Sequence, residues 1–167
     1  LNVGGFRIVT TFDKNAQAAA VESVKSSGVS DEKGLRIGLT SVKTDTGEVI
    51  AMYGGADYLK NQLSNADQAV GLAGSTFKPF ALAAAFEDGI DLSSTWDGSS
   101  PRTIRGYKLK NEGNVSYGNI SLLTATEKSV NTVFVDMAGK VGVDKVKDSA
   151  IRAGVPANTV GLVADPT

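Results

Sequence analysis

Gly74-Ser75-Thr76-Phe77-Lys78-Pro79-Phe80-Ala81-Leu82-Ala83-Ala84-Ala85-Phe86 is the stretch that orders the rest of the chain. Phe77, Phe80, Ala81, Ala84, Ala85 and Phe86 recur at three- and four-residue spacing. This predicts a helix that opens at Ser75 and ends before Gly89. Ser75 and Lys78, three apart, then share one face, close enough for the amine to meet the hydroxyl. A serine hydroxyl is a poor nucleophile until a base removes its proton. Lysine serves as that base only when neutral. Its ordinary pKa is about 10.4, so working near pH 7 needs a value about 3 lower, or roughly 4 kcal/mol from burial or a positive neighbour. The helix N-terminus adds free N–H groups and a dipole that favour negative charge on a bound carbonyl. Gly74 lets a ligand approach the backbone closely.

Composition explains why a lysine has to be considered. The 167 residues hold neither histidine nor cysteine. A Ser-His-Asp triad, a His-ligated zinc, a His base, a disulfide and a Cys nucleophile are all excluded within the chain. Lys+Arg number 17 against 18 Asp+Glu, a net charge of -1, which excludes a polybasic nucleic-acid binder. With 41% hydrophobic and 21% charged residues the chain reads as one soluble globular domain. No apolar run approaches the roughly 20 residues of a membrane span. The bare Ser-x-x-Lys pattern is not informative alone. Among 15 Ser and 12 Lys about one such pair arises by chance, and the chain has two. The other, Ser30-Asp31-Glu32-Lys33, reads as a solvated loop or helix cap.

Fifty-one residues beyond Lys78 stands Ser129, in Lys128-Ser129-Val130-Asn131-Thr132. It is predicted to lie between a helix over 120–126 and one over 132–140. A Ser-x-Asn in such a turn points a hydroxyl and a carboxamide the same way; helix capping alone would use the same residue types. Working outward, Phe6 to Phe12 reads as a strand, and Asp13 caps a helix through 16–24. Strands over 35–42 and 48–53 form a hairpin across Thr44-Asp45-Thr46-Gly47. Residues 57–71 read as a loop and 91–118 as irregular. A last helix covers 143–153, with Trp96 and Phe86 as core residues. The order predicts an α+β domain with helices packed on an antiparallel sheet.

These residues carry a family resemblance. Ser-x-x-Lys followed by Ser-x-Asn resembles penicillin-binding proteins and serine β-lactamases. The flanks narrow it. Val9-Thr10-Thr11-Phe12-Asp13 with Gln17 resembles the first strand and helix of the transpeptidase domain in class A bifunctional penicillin-binding proteins. Thr46-Gly47-Glu48-Val49-Ile50-Ala51-Met52-Tyr53-Gly54-Gly55 resembles that family's hairpin. Asn65-Ala66, the Ser75 segment, Gly118, Ile120 and Ala125 to Thr132 follow in the same order. The likeness runs from about residue 6 to about residue 155. Leu72-Ala73 stands where the family has Gln-Pro, and no Lys-Thr-Gly or Lys-Ser-Gly occurs.

The resemblance implies a β-lactamase/transpeptidase-like fold, with residues 1–167 the N-terminal portion of the domain. The third motif strand and the remaining sheet are expected beyond 167, on a continuation or a second chain. It implies a serine D,D-transpeptidase that cross-links peptidoglycan stem peptides ending in D-Ala-D-Ala and is trapped by β-lactams. Ser75 is then the nucleophile, Lys78 its base and Ser129 the proton relay. Asn131 holds the substrate amide, and the Ser75 N–H is one oxyanion donor. No cofactor, metal or nucleic acid is implied. The location is the extracytoplasmic face of the bacterial membrane. A non-catalytic β-lactam sensor and a serine β-lactamase remain alternatives; the latter needs a water-activating carboxylate, for which Glu87, Glu112 and Glu127 are available.

Overall fold

A computed structural model describes residues 4–29 and 34–163. The second Ser-x-x-Lys, Ser30 to Lys33, lies outside them. The chain divides into two units, Leu1–Gly71 and Leu72–Thr167.

In the first unit α1 spans Lys14–Ser26, β1 Leu39–Val42 and β2 Val49–Tyr53. Asp13 caps α1 as predicted, its carboxylate accepting from Ala16 N at 2.8 Å. β1 and β2 form the predicted antiparallel hairpin, Leu39 opposite Tyr53. The other edge of β2 is closed by the segment entering α1. Thr11 Oγ1 donates to Val49 O and Asp13 N to Ile50 O. Gln17 completes it by imitating a strand: its Nε2 donates to Met52 O and its Oε1 accepts from Met52 N, both at 2.9 Å. A helix side chain thus satisfies a peptide group that would otherwise invite another strand. The loop after β2 folds back through Asn65 N to Gly54 O at 2.8 Å. Gly38 makes room for that loop, because a Cβ there would collide with Asn65 O.

Phe6 to Phe12 is not a strand. Its β-branched composition has strand propensity, but residues 6–12 pair with no strand among the described residues, and Phe6, Ile8 and Val9 are exposed. Propensity does not make a strand without a ladder.

In the second unit a 3₁₀ turn, Gly74–Phe77, leads into α2, Lys78–Glu87. α3 (Leu122–Glu127), α4 (Asn131–Val141) and α5 (Val143–Arg152) follow close to prediction. Between α2 and α3 lie short strands that sequence periodicity does not register. β3 (Thr95–Asp97) pairs with β6 (Asn119–Ser121), and β4 (Arg102–Ile104) with β5 (Tyr107–Leu109), all antiparallel. The α+β class holds; among the described residues the sheet is three separate two-stranded pieces.

The core of this unit is where α2 meets α4 and α5. Ala81, Ala84 and Ala85 present little bulk, so α2 lies close against Val133, Met137 and Val146. Trp96 is buried in this cluster, as expected. Phe86 is not: it is 46% exposed, on the outer face of α2. Gly142, at φ 104°, lets α5 start directly where α4 ends. None of the described helices is long and apolar enough to cross a membrane.

Candidate active site

Ser75 sits on the 3₁₀ turn and Lys78 is the first residue of α2, its N–H bonded to Ser75 O. In 3₁₀ geometry residues i and i+3 eclipse. Lys78 Nζ accordingly reaches Ser75 Oγ at 3.0 Å. Gly74 has φ 53°, the left-handed conformation that glycine adopts without strain, where the chain turns into the motif. Thr76 Oγ1 bonds Ala73 O and ties the same turn from inside. Ser75 is exposed and Lys78 half-buried.

Ser129 arrives from α3. Val130 N bonds Ala125 O at 2.9 Å and Ser129 N bonds Thr126 O at 3.1 Å. These are the two bonds of a Schellman C-cap, with buried Val130 and Ala125 as its apolar contact. The motif needs a left-handed residue between them, normally glycine; here Ser129 occupies it at φ 51°. That conformation costs a serine about 1–2 kcal/mol. It also turns both Ser129 oxygens the same way: Lys78 Nζ donates to Ser129 Oγ at 2.9 Å and to Ser129 O at 2.7 Å.

Asn131 opens α4. Its Oδ1 accepts from Lys78 Nζ at 2.6 Å, and its Nδ2 donates to Lys110 O at 3.0 Å. The four residues singled out in the sequence therefore converge on one amine. Two influences act on it. The four oxygens around it favour the charged form, while burial favours the neutral one. Burial prevails and holds the Lys78 pKa below the usual lysine range. The face of Phe134, 5.5 Å from Nζ, forms part of the apolar wall. Beside Ser75 and Lys78 opens a cavity of about 480 Å³, bounded by Phe77, Leu109, Lys110 and Asn131. A smaller one of about 180 Å³ lies against Ser75, Pro79, Thr126 and Ser129.

An amine bonded to two hydroxyls, one of them exposed, can take a proton from one and pass it through the other. The three glutamates considered as water activators make no hydrogen bond to these groups. Glu87 is at the far end of α2, paired with Arg152 at 2.6 Å, and Glu112 and Glu127 are exposed. Sequence reasoning missed Phe134, the Lys110 carbonyl and buried Asn111. A carbonyl leaves no trace in sequence, Phe134 reads as ordinary core, and Asn111 sits in a stretch whose composition says only loop.

The family model for the penicillin binding protein transpeptidase domain matches residues 38–161. Penicillin-binding protein 1A of Mycolicibacterium smegmatis is 34% identical over 165 residues, 97% of this chain and 20% of the relative. The Mycobacterium tuberculosis protein of the same name is 35% identical with the same coverage. The chain thus spans about a fifth of these curated relatives. Among solved structures, PonA1 from Mycobacterium tuberculosis in complex with penicillin V superimposes with a TM-score of 0.77 at 32% identity. That match covers 96% of this chain and 42% of the other. Motif geometry, fold and sequence likeness lead to one statement: this chain belongs to the penicillin-binding protein transpeptidase domain family.

Proposed function

We propose that the chain carries the nucleophile half of a serine D,D-transpeptidase acting on peptidoglycan stem peptides that end in D-Ala-D-Ala. The observation that carries this is Lys78 Nζ within hydrogen-bond distance of Ser75 Oγ and Ser129 Oγ at once. Lys78 in its neutral form takes the Ser75 proton as Oγ attacks the carbonyl of the penultimate D-Ala. The Ser75 N–H stabilises the oxyanion. Lys78 returns the proton through the Ser129 hydroxyl to the departing D-Ala amine. The C–N bond breaks and an ester remains on Ser75. An amine of a neighbouring stem then attacks the ester, loses its proton along the same route in reverse, and leaves a new amide with Ser75 restored. Asn131 holds the substrate amide.

A β-lactam follows the first half of this path. Its leaving nitrogen stays tethered to the acyl group, so it shields the ester from the acceptor amine. No Lys-Thr-Gly or Lys-Ser-Gly occurs in this sequence, so the proposed reaction needs that strand of the family from outside residues 1–167. A substrate of this kind places the domain on the extracytoplasmic face of the bacterial membrane.

The test uses the complete polypeptide, exposed first to labelled penicillin and then to a D-Ala-D-Ala thioester. Stable label on wild type, none on Ser75→Ala, and thioester turnover are the expected results. Rapid loss of label would indicate a β-lactamase, and stable label without turnover a sensor. Absence of label would overturn the assignment.

A further inference from the structure

Asn111 is one of three buried polar residues in the described chain, 4% exposed. Every hydrogen-bonding position of its side chain is occupied. Nδ2 donates to Gly98 O and Val115 O, both at 2.9 Å, and Oδ1 accepts from Thr132 N at 3.1 Å and Thr132 Oγ1 at 3.2 Å. Its own N–H donates to Ser100 Oγ at 3.0 Å.

Two of these contacts bear on the site. The N-cap of α4 is Val130, which has no side-chain acceptor, so the first turn of that helix lacks a local cap. Asn111 supplies it from 21 residues upstream by taking the Thr132 N–H. Asn111 also follows Lys110 directly. Fixing it fixes the Lys110 carbonyl, the acceptor for Asn131 Nδ2. That bond decides which way the Asn131 amide faces. With Nδ2 held by Lys110, Oδ1 is presented to the Lys78 amine; reversed, the amide would aim a donor at a donor.

We propose that Asn111 is a positioning residue of this site, capping α4 and holding the Lys110 carbonyl so that the Asn131 oxygen faces Lys78. Its place in acyl transfer rests on the function proposed above; its control of the Lys78 environment does not. No charged group among the described residues is hydrogen-bonded to that amine. Lys110 lines the same cavity, and Glu127 and Lys128 flank Ser129 as exposed residues. On α4, Asp136 is paired with Arg102 and Lys140 lies over Trp96. On α2, Glu87 is paired with Arg152.

The experiment is an NMR titration of the complete polypeptide labelled with ¹³C-lysine, the Lys78 signal assigned by its loss in Lys78→Arg. Removing an acceptor from an ammonium disfavours the charged form. Asn111→Ala is expected to lower the Lys78 midpoint by about one pH unit. Asn131→Ala is expected to do the same, and the double variant to go no further. The acid limb of penicillin acylation moves with the midpoint. An Asn111 acting only on stability would reduce the melting temperature and leave the midpoint in place. A midpoint equal to wild type, or shifts that add in the double variant, would overturn the proposal. If Asn111→Ala does not fold, Asn111→Ser is read in its place. Its hydroxyl can take the Thr132 N–H but cannot span to both Gly98 and Val115. A smaller downward shift is expected there, and an unmoved midpoint again overturns the proposal. Wild type that titrates as described but is not acylated at Ser75 would defeat the proposed function while leaving this inference standing.

Discussion

Lys78 and Ser129 meet twice, through the serine hydroxyl at 2.9 Å and its carbonyl at 2.7 Å. Both contacts depend on one backbone angle, the φ of 51° that Ser129 adopts just past Lys128, the C-cap of α3. A serine where glycine is normal is strain kept at a site. Ser129→Gly should therefore leave stability unchanged or raise it by about 1 kcal/mol. It should also slow penicillin acylation about a hundredfold, because the hydroxyl is gone. Urea denaturation and acylation kinetics on the same preparation check the two together. A clear loss of stability would show that the left-handed turn is not strained.

Lys78 carries a pH signature. Its folded pKa is lowered by burial, so the native state holds fewer protons than the unfolded chain as the pH approaches the lysine range. The cost of burying the charged form is fully present below the folded pKa. It fades as the pH rises from there toward the unfolded value. Wild type should therefore gain stability relative to Lys78→Met as the pH rises on the alkaline side. Denaturation of both proteins from about pH 8 to about pH 10 measures the difference. A difference that stays flat, or falls, contradicts a depressed lysine.

A guanidinium in the same place tests the base directly. Lys78→Arg keeps the charge and loses the ability to deprotonate. Acylation by penicillin should fall by about a hundredfold to ten-thousandfold, the range typical of losing a general base. Activity within a few-fold of wild type would remove Lys78 from that role.

Gln17 offers a test within the first unit. Its two bonds to Met52 occupy the outer edge of β2. Gln17→Ala should cost about 2 kcal/mol, two part-buried hydrogen bonds at about 1 kcal/mol each. Gln17→Glu keeps an acceptor for the Met52 N–H but sets a carboxylate against the Met52 carbonyl, and should be worse than Ala near neutral pH. Thermal denaturation of the three proteins ranks them; a silent Gln17→Ala would mean that water or another segment satisfies that edge.

The helices and the hairpin were legible because each had a local signature. α2 had its spacing of Phe and Ala, α1 its Asp13 cap, and β1–β2 a turn with Asp and Gly in favoured places. The two motifs were legible for the same reason, and the convergence of Ser75, Lys78, Ser129 and Asn131 was an expectation drawn from family likeness. β3 to β6 were not legible, since a three-residue strand gives periodicity no room to show. Phe6 to Phe12 misled in the opposite sense: a strand's composition with no partner strand among the described residues. Phe86 misled because an aromatic at helical spacing need not lie on the buried stripe. Asn111 could not be read at all, for its importance lies in bonds to residues 13 before it and 21 after it.

The proposed reaction leaves Ser75 covalently acylated, with Lys78 as its base. Peptide mapping by mass spectrometry, after exposing the complete polypeptide to penicillin, tests it most directly. Opening a β-lactam ring expels no fragment, so the peptide containing Ser75 should gain the full mass of the drug, and Ser75→Ala should gain nothing. An adduct on any other peptide, or undiminished labelling of Ser75→Ala, would contradict the account.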